Sequence, residues 1–139
     1  MIRVTTYAAF IALMTAPALA QSGTEGSTGG ITEDAEITSV LVDNMIVTEL
    51  TTICPKLAPR PARVKKQAQE MMGVITAKGY GPQDIQSLQD PAFLARLAAQ
   101  SEDFFATQGI EKRDTEAMCA FGKAQIAKRT PLGKLMKNR

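Results

Sequence analysis

The chain has 139 residues, 16 Lys and Arg against 14 Asp and Glu, and a formal net charge of +2. That balance points to neither nucleic acid nor membranes, and the complete lack of histidine removes the commonest general base and metal ligand. Two cysteines and 5% aromatic residues supply neither a four-ligand zinc site nor a base-stacking platform.

Residues 1–20 read as a targeting segment. Arg3 gives a positive start, residues 4–16 form an apolar run too short to span a bilayer, and Ala18-Leu19-Ala20 is a cleavage box. The expected product begins at Gln21 and is a soluble, exported, periplasmic protein. No cysteine follows the box, so a lipid anchor is not expected. Residues 21–31 are rich in Gly, Ser and Thr and are expected to be a disordered linker. Residues 32–139 are left as the folded domain.

Thr32-Glu33-Asp34 offers a cap and acids for a helix start. Over residues 35–54, Ile37, Val40, Leu41, Val47, Leu50 and Cys54 recur at helical steps, and Pro55 stops the run. Asp43 and Asn44 interrupt this apolar stretch; a solvent-facing stripe is expected, with a buried partner for Lys or Arg as the alternative. Pro55, Pro59 and Pro61 make the next segment a stiff connector. Residues 62–78 predict a second helix with Val64, Ala68, Met71, Met72 and Ile75 inward. Gly79-Tyr80-Gly81-Pro82 is turn chemistry, and residues 83–88 are long enough for one or two helical turns.

Asp90-Pro91 opens a helix running to about Gln108, with Phe93, Leu94, Leu97, Ala98, Phe104 and Phe105 as its apolar face. Asp114 caps a last helix over residues 115–129. On it Cys119 and Gly122 share a face, which lets another helix backbone approach closely. Thr130-Pro131 ends it, and Leu132 and Leu135 are expected to fold back as an apolar clasp. No segment alternates as a strand would. The fold class is all-α: a small bundle of four main helices plus a short helical turn, stapled by one disulfide between Cys54 and Cys119.

Catalytic vocabulary is sparse. There is no nucleophile elbow, P-loop or dinucleotide fingerprint, and the carboxylate pairs Glu33/Glu36 and Glu102/Asp103 sit in polar, exposed contexts. The methionines fall at core spacing rather than in a copper-binding cluster. Charge is segregated, however. Residues 25–49 carry six acids and no base, residues 56–66 five bases and no acid, and residues 123–139 six bases and no acid.

The pattern Cys54-Pro55, Gly79-Tyr80, Asp84-Ile85, Cys119 with Gly122 and Ile126, and the ending Thr130-Pro131-Leu132-Gly133-Lys134-Leu135 resembles a group of small exported alphaproteobacterial proteins catalogued as a domain of unknown function. Their ending usually reads Ile-Gly-x-Leu-Leu, where this chain has Leu132-Gly133-Lys134-Leu135-Met136. The resemblance implies an all-helical exported protein with one disulfide, and it transfers no activity.

The leading expectation is a non-catalytic periplasmic domain that binds another protein, with no cofactor, no metal and no nucleic acid. Its expected contact surface is Lys128, Arg129, Leu132, Lys134, Leu135, Lys137 and Arg139. A stress or acid chaperone on the general plan of HdeA-type proteins is the runner-up. A weak contact of the basic C-terminus with an anionic membrane surface is third.

Overall fold

A computed structural model describes residues 29–139. The expected targeting segment and most of the expected linker lie outside the described residues. Ile31, the last residue of the expected linker, is 1% exposed. It starts a 3-10 turn, Ile31–Glu33, that leads into the domain.

Helix α1, Ala35–Ile53, is the axis of the fold. Its cap is Asp34, whose carboxylate accepts from the N–H groups of Glu36 and Ile37. Cys54 closes its far end with extended backbone, as a residue before proline prefers. Around it stand α2 (Pro61–Ala77), α3 (Pro82–Ser87), α4 (Pro91–Thr107), α5 (Thr115–Ala127) and α6 (Pro131–Lys134). Four helices are long, and proline opens all the others after α1 except α5.

α2, α4 and α5 end by one device. The second residue past each helix takes a left-handed conformation, at Gly79, Gly109 and Arg129. The next N–H then reaches back, Tyr80 to the Ile75 carbonyl, Ile110 to Phe105 and Thr130 to Gln125. Glycine takes that conformation freely, whereas Arg129 carries its steric cost at φ 53°.

The core has two parts strung along α1. Around its C-terminal half, Ile46, Val47, Leu50, Cys54, Leu57, Phe105, Met118, Leu132, Leu135 and Met136 pack together. Phe104, Phe105 and Phe121 meet edge to face with ring centres 5.5–6.3 Å apart. At its N-terminal end Ile31, Ile37 and Ile75 form a smaller cluster, flanked by Leu41, Met71, Tyr80, Ile85 and Leu88. The Cys54–Cys119 disulfide joins the end of α1 to α5, with Cα atoms 5.2 Å apart.

Several expectations need correction. The connector after Pro55 is a strand, β1 (Leu57–Pro59), paired antiparallel with β2 (Met136–Asn138). Three residues are too few for alternation to show, and the prolines obscured it. Ala68, Met72 and Leu94, expected inward, are exposed, the last two at 46% and 43%. Each helix packs through a narrower stripe than its apolar residues allow. At Gly122 the atoms nearest to an added Cβ are side chains, Leu57 of β1 and Leu50 of α1, rather than helix backbone. The backbone approach occurs instead at Gly133, against the last turn of α5.

Candidate interaction surface

Pairing of β1 with β2 brings together two basic segments that are far apart in sequence. Ala58 lies opposite Lys137 and Pro59 opposite Met136. Beyond the strands, Arg60 donates its N–H to the Leu135 carbonyl at 2.7 Å, and Arg139 donates to the Lys56 carbonyl at 3.0 Å. Side chains alternate across a strand, and Leu57 and Met136 are the fully buried ones. Lys56, Arg60, Lys137 and Arg139 are all exposed and lie at the alternate positions. The ribbon therefore buries its apolar face against Leu50 and Met118 and turns a cationic face outward. Like charges on facing strands repel, so this face is electrostatically unfinished.

No ion pair is formed by these four side chains among the described residues. Lys128, Arg129 and Lys134, also expected in the contact surface, are likewise exposed. Leu132 and Leu135 are not. They do fold back, but at 7% and 5% exposure they belong to the core rather than to the cationic face. An apolar pair one and four residues past Pro131 has the same sequence signature as contact surface and as core. Lys56 and Arg60 were missed as partners of the C-terminus; the base-rich, acid-free run over residues 56–66 was the available signal.

At the opposite end of α1, Asp34 does more than cap. Its carboxylate accepts from Lys78 Nζ at 2.8 Å and from the Tyr80 hydroxyl at 3.1 Å, and Lys78 also meets Glu36 at 2.9 Å. This closes the first turn of α1 onto the end of α2. The bond from Lys78 holds the Asp34 carboxyl below the usual carboxylate range, against the opposing effect of burial. The same bonds to Asp34 and Glu36 raise Lys78 above the ordinary lysine value.

A carboxyl lowered in the folded state stabilises above its unfolded value and loses that contribution as pH falls through the folded value. Acid below about pH 4 should thus release this end first. Asp34→Asn keeps a cap but not the ion pair. We expect it to cost about 1 kcal/mol at pH 7 and to flatten the loss between pH 5 and 2, read by urea unfolding across that range. An equal acid loss in both proteins would assign the effect to other carboxylates.

A second polar cluster ties α1 to α4. Lys112 lies 2.8 Å from Glu49 and 3.4 Å from Glu102, and the buried Ser101 hydroxyl donates to Glu49 at 3.2 Å. Burial works against the Lys112 charge, and the bonds to Glu49 and Glu102 outweigh it, raising its value. Every member of this cluster has a partner, and the arrangement is structural.

Asp43 follows neither expectation. It is half-buried on α1, and no donor or cation among the described residues engages its carboxylate. Asn44 beside it bonds back to the Val40 carbonyl. No group of three or more Cys, Asp or Glu among the described residues is placed to hold a metal ion. No described helix is long and apolar enough to cross a membrane.

A disulfide-stapled helical domain with a basic β-ribbon is thus the class of protein that the fold and surface define. The chain belongs to DUF5333, a family of unknown function, whose model matches residues 29–137. No curated protein and no solved structure matches it.

Proposed function

We propose that this protein is a non-catalytic interaction module of an oxidising, exported compartment such as the periplasm, and that its ribbon face docks an acidic segment of another protein. One observation carries the reading: Lys56, Arg60, Lys137 and Arg139 are gathered on one exposed face and form no ion pair among the described residues. The disulfide fits the compartment, since such bonds persist where thiols are not kept reduced.

A lipid surface is the weaker occupant. Each cation near an anionic membrane contributes about 1 kcal/mol, so this face gains only about 4 kcal/mol, near a millimolar dissociation constant. Stable anchoring takes a second signal, and Ala58 and Pro59 offer no apolar wedge beside the cations.

The test is fluorescence anisotropy with a labelled Glu-rich peptide and its Gln-substituted counterpart. The acidic peptide should bind at least about tenfold tighter, weaken as salt rises, and lose that advantage when all four cations become Gln. Equal binding of both peptides, or retention by the fourfold variant, refutes the assignment. Tighter capture on vesicles containing anionic lipid than on the peptide would move the surface to the membrane.

An acid chaperone is the second reading, and the Asp34–Lys78 lock favours it by giving acid a place to loosen the fold. It requires suppression of client aggregation near pH 3 by the protein and, at milder pH, by Asp34→Asn.

A further inference from the structure

Two recesses meet on α1 at Asp43, and none of the ribbon's four cations lines either of them. The larger, about 450 Å³, lies between α1 and α4 and is walled by Val42, Ile46 and Phe104, with Gln100 and Arg96 along the α4 side. The second, about 330 Å³, runs from Phe104 past Phe121 to Pro131 and Leu132. Asp43 and Phe104 line both, so the carboxylate stands at the junction beside an aromatic ring.

The charge there is uncompensated. Arg96 is the only cation among the lining residues, and it is occupied. It bonds Glu33 at 2.7 Å and the Thr32 carbonyl, and it lies over the Phe93 ring. Asp43 has no such partner, and burial alone pushes its carboxyl up. Partial desolvation disfavours this charge, and a carboxylate so placed in a recess, with no cation beside it, is a candidate for binding one.

We propose that the recess at Asp43 binds a small amphiphilic organic cation, its ammonium group on the Asp43 carboxylate and its hydrocarbon along Val42, Ile46 and Phe104. Three features select this class. The carboxylate supplies the counter-charge, the Phe104 ring adds attraction for a cation at its face, and the flanking walls are apolar. The volumes are those of small-molecule sites and exceed what one lysine side chain fills. The site is separate from the ribbon and does not depend on that reading.

Titration calorimetry with n-hexylammonium tests it, with n-hexanol as the uncharged control. Saturable binding is expected, weakened at least about tenfold for hexanol and for Asp43→Asn, and several-fold for Phe104→Leu. Asp43→Asn should melt no lower than the parent, so lost binding cannot be lost folding. Equal affinity for hexanol, undiminished binding by Asp43→Asn, or no saturation by about 10 mM overturns the proposal. So does equally tight binding of an acetyl-lysine amide, which would make the occupant a partner's side chain.

Discussion

Reduction of the Cys54–Cys119 disulfide, or its replacement by Ser at both positions, should lower the unfolding free energy by about 4 kcal/mol. The bond closes a loop of 65 residues, and the restricted unfolded chain accounts for a figure of that size in the entropic model. For a small domain this is a large share of a net stability of about 5–10 kcal/mol. The position sharpens the effect. Cys54 ends α1 and is fully buried in the larger core cluster, where Leu57 and Met118 pack with it. Loss of the tether should therefore loosen the ribbon along with the α1–α5 contact. Denaturant unfolding of oxidised and reduced protein measures the difference, and hydrogen exchange at Lys137 and Arg139 reports the ribbon. A change under about 1 kcal/mol would mean that packing alone sets the geometry.

What could be read from the chain follows from the range of the interactions involved. Helix ends were legible because their causes are local: Asp90 and Asp114 cap the helices expected of them, Pro55 stops α1, and the expected start at Thr32-Glu33-Asp34 is displaced only so far that Asp34, not Thr32, is the cap. The cysteine pair was legible by count. The ribbon was not, because its strands derive their stability from a partner almost eighty residues away rather than from any pattern of their own. The lock of Asp34 with Lys78 and Tyr80 was hidden for the same reason, since each residue has a sufficient local role as cap, helix end or corner. Charge segregation was visible in sequence as two basic runs, but only pairing made them one surface. The ends of α1 thus differ in kind: one is held by a disulfide and apolar packing, the other by an ion pair at a small cluster.

Gly133→Ala should destabilise the protein by about 3 kcal/mol or more, the upper range for adding volume to a packed interior. A Cβ at this position would stand 1.9 Å from the Gln125 carbonyl oxygen and 2.7 Å from the Ile126 nitrogen. Both are backbone atoms of α5, so no rotamer change can relieve the overlap. The Gln125 carbonyl is also the acceptor for the Thr130 N–H, and the Thr130 hydroxyl caps α6 through the Gly133 N–H. Displacing α6 would break this closure and lift Leu132 and Leu135 from the core. It would carry β2 with it, because Met136 follows directly. Gly122→Ala makes the informative comparison. Its added Cβ would lie 2.3 Å from Leu57 Cδ1, a side-chain atom with some freedom to turn, so the cost should be smaller. Thermal and urea unfolding of the two variants rank them. If Gly122→Ala proved the more damaging, the seat of Leu57, rather than the close approach of α6, would be the tighter constraint on this fold. The acidic-peptide measurement on Gly133→Ala then links packing to function, because a displaced α6 scatters the cationic face without removing one charge.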